Sequence, residues 1–127
     1  MVLLLKAILS IIIGQTLFFK FSGAAESMHI FTQLGVEPWG RISLGILELI
    51  AIVLLWVSST SHYGTLAALG LMLGAIASHV FLLGIVVLND GGKLFILAVI
   101  SFLAALLLAY YQREEFKLLA AKLVIRR

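Results

Sequence analysis

Long apolar runs separated by short polar segments set the pattern of this chain. Four runs are long enough for the roughly 20 residues that a helix needs to cross a hydrocarbon core about 30 Å thick. They cover about residues 2–22, 39–59, 64–88 and 93–112. No run shows sustained polar alternation, and a helix satisfies its own backbone hydrogen bonds in lipid. The pattern predicts an all-α membrane protein with four transmembrane helices in a single domain, residues 1–127.

The last two connections between runs are very short. Only Thr60–Tyr63 separates the second run from the third, and only Asn89–Gly92 separates the third from the fourth. Because such short links bring successive helices back alongside each other, they predict an antiparallel up-down bundle. The sequence Asn-Asp-Gly-Gly is itself a strong turn signal, since Asn and Gly tolerate positive φ.

The first connection, Gly23–Pro38, is longer. Its residues Met28, Phe31 and Leu34 recur at a spacing of three. This spacing predicts a short amphipathic helix that lies on the membrane surface. An irregular linker is the alternative interpretation.

Basic residues indicate the orientation, because Lys and Arg concentrate on the cytoplasmic side of membrane proteins. Both chain ends and the Thr60–Tyr63 link share one side, which holds most of the basic residues: Lys6, Arg113, Lys117, Lys122, Arg126 and Arg127. We therefore predict cytoplasmic termini in a bacterial-type inner membrane. The first run resembles a signal peptide, but we interpret it as an uncleaved span. The basic tail, 113–127, is expected to be helical and to lie against anionic lipid, with partner docking as the alternative.

Composition supports a lipid environment and excludes several kinds of site. Apolar residues form 63% and charged residues 12% of the 127-residue chain, against about 45–50% and about 25% in soluble domains. The mean hydropathy is +1.20. Cysteine is absent, which excludes disulfides and thiolate metal ligands in this chain. The net charge of +3 does not indicate nucleic-acid binding, because the basic residues lie at helix ends and in the tail.

A polar side chain lies at a similar depth in each predicted span. At about 1.5 Å rise per residue, Glu48 and His79 lie roughly 13 Å below the outer boundary. Gln15 and Ser101 lie roughly 10–12 Å below it. A carboxylate at such depth costs about 2.5–3.5 kcal/mol on insertion scales, so the bundle has to supply partners for Glu48.

The simplest pairing joins Glu48 to His79, with Lys20 and Arg41 forming a polar path from these two residues to the outer surface. Intramembrane ionisable groups usually mark ligand sites or proton paths, so we interpret Glu48 and His79 as functional. We interpret Gln15 and Ser101 as interhelical hydrogen-bonding groups. Under the alternative interpretation, all of these groups only hold the helices together.

Two further features bear on partners and cofactors. Gly70, Gly74 and Ser78 recur every four residues, a spacing that lets helices pack closely within the bundle or in a homo-oligomer. His29 and His62 fall on opposite sides of the membrane and His79 falls within it, so we expect no pair of histidines to provide two axial haem ligands. The sequence predicts no metal site and no intrinsic cofactor.

Four segments carry a resemblance to the DoxX family of small four-helix membrane proteins, over nearly the whole chain. They are FFKFSGAAES at 18–27, LGVEPWGRISLGILELIA at 34–51, LMLGAIASHVFLLGI at 71–85 and NDGGKLFILA at 89–98. Lys20, Glu48 and His79 match polar positions that recur in that family.

The resemblance implies an accessory membrane subunit of a quinone-linked redox system, such as thiosulfate:quinone oxidoreductase, with a bound quinone or lipid. A redox enzyme subunit would then be the partner and would supply the electrons, since catalysis by this chain alone is not expected. Two other hypotheses stay open. One is a non-catalytic scaffold or assembly factor, and the other is a proton-linked transporter, for which four short helices make a weaker case.

Overall fold

A computed structural model of the protein describes residues 1–126, and the predicted tail residue Arg127 lies outside them. Six helices follow one another without any strand in this described part. They are α1 (Val2–Ser22), α2 (Ala25–Gln33), α3 (Trp39–Trp56), α4 (Ser61–Ser78), α5 (Lys93–Tyr111) and α6 (Arg113–Ile125). A π-helical turn, His79–Leu83, continues α4.

The prediction of an all-helical fold with four helices able to span a membrane is confirmed for the described residues. Four helices, including α4 with its π-helical turn, are long and apolar enough to cross a membrane. The short helix α2 lies within the first connection, where the three-residue spacing predicts a helix. Some boundaries differ from the prediction. The second span ends at Trp56 rather than 59, and the third runs Ser61–Leu83 rather than 64–88. Gly84, at φ 82°, ends the π-helical turn, because glycine adopts positive φ without strain.

The four long helices pack in a closed ring. Helix α1 packs against α3 and α5, and α4 packs against the same two helices. Between them lies an apolar core of fully buried side chains from different helices: Leu9, Ile13, Leu55, Ala68, Ala105 and Leu108. The buried residues of α1 recur every four positions at Leu5, Leu9, Ile13 and Leu17, which is the spacing that keeps one helix face toward its neighbours.

The close helix contact is made at a different glycine from those predicted. A Cβ atom on Gly64 would lie 2.5 Å from the backbone nitrogen of Leu55 and 2.9 Å from the carbonyl oxygen of Ala51. Only glycine therefore lets α4 approach α3 so closely. By contrast, a Cβ built on Gly70 or Gly74 has no atom within 4 Å from residues 1–126, apart from its own stretch of helix. The prediction that these two glycines pack helices within the bundle is wrong, whereas their role in a homo-oligomer stays a prediction.

The two ends of the bundle are built differently. At one end, which we call the α2 end, α2 packs against α1, α3 and the π-helical turn. At the other, the α6 end, Gln112 lies between α5 and α6 and is buried. Its Nε2 donates to Ser61 Oγ at 2.9 Å, and its Oε1 accepts from Thr65 Oγ1 at 2.6 Å. These bonds fasten the start of α4 to the α5–α6 junction.

Candidate intramembrane binding cavity

A cavity of about 360 Å³ lies at the α2 end of the bundle. Its volume falls near the lower limit of ligand pockets, which measure roughly 300–1,000 Å³. All four long helices and α2 contribute to its walls, and most of the lining side chains are apolar. The ionisable and hydroxyl side chains in the lining are Thr16, Lys20, Glu26, Ser27, Glu48, Ser78 and His79. A largely apolar pocket with a few convergent polar groups is typical of small-molecule sites.

An ion pair between α1 and α3 forms the polar centre of this cavity. Lys20 Nζ lies 3.1 Å from Glu48 Oε2, and the two side chains are 12% and 5% exposed. Thr16 Oγ1, one turn before Lys20, lies 3.5 Å from the same oxygen. A buried charge without a partner costs several kcal/mol, so this pairing answers the requirement that Glu48 places on the bundle.

The ion pair leaves hydrogen-bonding capacity unused. The contacts of Glu48 with Thr16 and Lys20 are at Oε2, and no hydrogen bond reaches Oε1 from residues 1–126. Lys20 Nζ carries three N–H donors and makes no other polar contact in the same part of the chain. The cavity therefore presents both a hydrogen-bond acceptor and hydrogen-bond donors beside apolar walls.

His79 lines the same cavity and is 5% exposed. Its Nδ1 lies 3.0 Å from the carbonyl oxygen of Gly84, at the end of the π-helical turn. Because a carbonyl oxygen only accepts, this bond assigns the proton to Nδ1 and leaves Nε2 as an acceptor in the neutral ring. Phe95 packs edge-on against the imidazole, with ring centroids 5.8 Å apart.

The expected pairing of Glu48 with His79 does not form. Within residues 1–126, Glu48 pairs with Lys20 and His79 bonds to Gly84. The long Lys20 side chain is the physical reason, since an ammonium on four methylene groups reaches well along a helix from its own Cα. The structure nevertheless brings Lys20, Glu48 and His79 together as walls of one cavity.

Arg41 lies beside this cavity but does not line it. Its Nε donates to both carboxylate oxygens of Glu37, at 2.9 and 3.0 Å, and an Nη donates to the carbonyl oxygen of Lys20. The side chain thus ties the end of α1 to the start of α3. Two cations and two carboxylates, in the pairs Lys20–Glu48 and Arg41–Glu37, give this cluster a formal charge of zero.

The other two predicted residues lie elsewhere. Gln15 is exposed on α1 and does not line the cavity, because one residue turns a helix by about 100° and places Thr16 inward instead. Ser101 is fully buried on α5, yet its hydroxyl makes no hydrogen bond within residues 1–126 and lies outside the cavity lining. Neither residue therefore contacts the cavity.

Sequence reasoning missed Thr16, Glu26, Ser27 and Glu37. Thr16 carried a usable signal, since it precedes Lys20 by four residues and hence shares its helix face. The contribution of Glu26 and Ser27 depends on how α2 folds over the cavity, which residue spacing does not determine.

A second polar feature, Asp90, lies in the connection before α5. Its Oδ1 accepts from the backbone N–H groups of Val87 and Gly92 at 3.1 and 2.8 Å, and its Oδ2 accepts from Leu94 at 3.3 Å. Burial acts to raise the pKa of the Asp90 carboxyl, but these hydrogen bonds and the nearby His79 outweigh it and hold the pKa below its ordinary value. Asp90 therefore stabilises the start of α5 as an anion.

Among the described residues, 1–126, no three side chains of His, Asp or Glu form a group that could hold a metal ion. Comparisons with protein-family models, with curated proteins and with solved structures each gave no match to this chain.

Proposed function

We propose that this chain binds a quinone or a similar amphiphile in the cavity beside Lys20, Glu48 and His79. The observation that carries the proposal is that an otherwise apolar cavity contains hydrogen-bonding atoms without a hydrogen-bond partner among the described residues. Glu48 and His79 are nine-tenths buried, and Oε1 of one and Nε2 of the other accept no hydrogen bond from residues 1–126. A ligand carbonyl would accept from Lys20, and a reduced ligand hydroxyl would donate to Glu48 or His79.

The membrane arrangement is part of the same proposal: an antiparallel up-down bundle in a bacterial-type inner membrane, with cytoplasmic termini. Contacts between α1 and α3 support the antiparallel arrangement. Thr16 meets Glu48, whereas Ser10, earlier in α1, accepts from the indole of Trp56, later in α3. The excess of Lys and Arg beyond Arg113 supports a cytoplasmic α6 end. The cavity would then lie in the outer half of the bilayer.

We further propose membership of the DoxX family and a role as accessory subunit of a quinone-linked redox system. The four resembling segments support this proposal, and they include Lys20, Glu48 and His79. Cysteine is absent, so the chain has no thiol redox group of its own, and under this proposal a partner subunit carries out electron transfer. This chain would supply the intramembrane site, and the partner would supply the redox centre.

The test is mass spectrometry of the small molecules retained after gentle purification into lipid nanodiscs. Wild type should retain a quinone, and Glu48→Gln and His79→Ala should each retain about 10-fold less, because a hydrogen bond to a charged or buried group is worth about 1.5–3 kcal/mol. The matched control is Gln15→Leu, which changes an exposed polar residue of α1 outside the cavity. Equal retention by wild type and both cavity variants would refute the proposed site.

A scaffold is the second candidate, and one observation favours it. Lys20, Glu37, Arg41 and Glu48 form a charge-balanced cluster that joins α1, α3 and the first connection. Such a cluster fixes helix packing whether or not a ligand binds. A scaffold predicts that a Glu48→Gln, His79→Ala double variant loses stability while it keeps the same lipids and partner proteins.

A further inference from the structure

The cavity has an apolar extension along α4. Gly70 and Gly74 line it, and in the described part of the chain no atom beyond their own stretch of helix lies within 4 Å of a Cβ built at either position. Both glycines are also exposed, so this part of the cavity opens at the surface of the bundle, and a larger side chain there would project into that opening rather than into a neighbouring helix. The two glycines contribute room to the cavity and no close helix contact.

Polarity changes along the length of the cavity. Lys20 and Glu48 form its polar part, together with His79 on α4. Gly70 precedes His79 by nine residues, or roughly 13 Å along the helix axis. The lining residues near Gly70 in sequence, Leu71 and Met72, are apolar, and so is Ile12, which lies eight residues before Lys20 on α1. One elongated cavity thus has polar groups toward one end and hydrocarbon walls toward the other.

We infer that Gly70 and Gly74 form the binding site for the hydrocarbon tail of the ligand. The inference rests on the proposed function and adds the orientation of the ligand and its class. The head group lies at Lys20, Glu48 and His79, and a single chain extends past the two glycines. A volume of about 360 Å³ suits one head group with part of one chain. The space beside the glycines accommodates the hydrocarbon tail, whereas the polar and charged side chains bind the head group.

The test compares two probes on the same protein in nanodiscs. One probe is a benzoquinone with a ten-carbon tail, and the other is the same ring without the tail. Gly70→Leu and Gly74→Leu fill the extension and should weaken binding of the tailed probe about 10-fold or more, since each buried methylene contributes to affinity. Binding of the tail-less ring should change by less than about twofold, because the head-group contacts remain.

The control for the substitution itself is Gly14→Leu. A Cβ built on Gly14 likewise has no atom within 4 Å from the rest of residues 1–126, outside its own stretch of helix, and Gly14 does not line the cavity. Leucine is a better helix former than glycine, so none of the three variants should unfold its helix, and circular dichroism checks this. Gly14→Leu should bind both probes as wild type does.

Three outcomes would overturn the inference. One is unchanged binding of the tailed probe by the Gly70 and Gly74 variants. Another is an equal loss of both probes, which would place the head group at the glycines. A third is dissociation of a homo-oligomer with unchanged affinity, which would make the glycines packing residues. Failure of the proposed function is distinguishable from all three, because wild type itself would then bind neither probe.

Discussion

The two ends of the bundle differ in how their buried polar side chains are paired. Both bury polar side chains inside an apolar bundle. At the α6 end, Ser61, Thr65 and Gln112 bond to one another in a closed cluster, and the apolar core packs beside it. At the α2 end, Lys20 and Glu48 pair, yet they keep donors and an acceptor free beside a cavity of about 360 Å³.

Under the proposed function, this difference separates polar groups that only hold helices together, at the α6 end, from polar groups that also bind a ligand, at the α2 end. Interhelical hydrogen bonds in membranes contribute about 0.6 kcal/mol on average, and neutral side chains are enough to form them. The buried cluster at the α6 end consists only of neutral side chains. The α2 end contains four charged side chains, which cost more to bury than neutral ones, and a cavity lies beside them. The distinction can be tested by removing each cluster and measuring stability and ligand retention separately.

The largest expected effect comes from breaking the ion pair on one side only. Lys20→Met should lower the free energy of unfolding by about 3–5 kcal/mol, because it leaves the buried Glu48 carboxylate without its cation. A Lys20→Met, Glu48→Gln double variant should recover most of that loss, yet it should not regain the ligand. Thermal unfolding in detergent and mass spectrometry of retained molecules provide the two measurements. If the double variant were as unstable as Lys20→Met alone, the loss of stability could not be due to the unpaired Glu48 carboxylate.

Gly64→Ala should lower stability by about 1–3 kcal/mol. The added methyl group would lie 2.5 Å from the backbone nitrogen of Leu55, and α3 would have to move away. Gly14→Ala is the control, since it adds the same methyl group at a position where no other part of the described chain lies within 4 Å. The midpoint of thermal unfolding should fall for the first variant and stay unchanged or rise for the second.

Gln112→Leu should lower stability by about 1–2 kcal/mol and leave ligand retention unchanged. The substitution removes the partners of Ser61 Oγ and Thr65 Oγ1, although Thr65 keeps its bond to the carbonyl oxygen of Ser61. The same two measurements apply as for Lys20. A loss of ligand in this variant would show that the α6 end affects binding at the α2 end, which contradicts separate roles for the two ends.

The smallest effect is expected at Asp90, and it depends on pH. Because the pKa of Asp90 is lowered in the folded protein, its contribution is present above the unfolded pKa of about 3.9 and is lost as pH falls through the folded value. Asp90→Asn should cost about 0.3–1 kcal/mol at pH 7. The difference in unfolding midpoint between wild type and variant should shrink below about pH 4. A difference that stays constant across this range would rule out a role for the charge.

The sequence predicted the helices well, because span length and hydropathy depend on the bilayer rather than on tertiary detail. The first span matches α1, Val2–Ser22, at both ends. The end of the third span was less predictable. Its apolar run continues beyond Leu83, but Gly84 and the π-helical turn end the helix there. A hydropathy profile does not register a change of backbone geometry within an apolar run.

The sequence predicted how deep in the bundle the site residues lie, but not the direction in which each side chain points around its helix. Rise per residue placed Glu48 and His79 at one level, and both line one cavity. The same calculation selected Gln15 instead of its neighbour Thr16, because depth is insensitive to a turn of about 100°. It also paired Glu48 with the wrong residue, since the reach of the Lys20 side chain does not appear in backbone spacing. The cavity itself depends on how five helices meet, and no local pattern encodes that.

The ion pair between α1 and α3 also has a consequence for biosynthesis. The chain is made from its N-terminus, so Lys20 reaches the membrane before Glu48 does. The Glu48 carboxylate alone would oppose insertion by about 2.5–3.5 kcal/mol. It can pair with the Lys20 ammonium, which is already present in the preceding span. Helices α1 and α3 would then leave the translocon as a charge-compensated hairpin. Exchanging the residues at positions 20 and 48 should preserve that compensation, whereas a second acid at position 20 should leave the hairpin stalled.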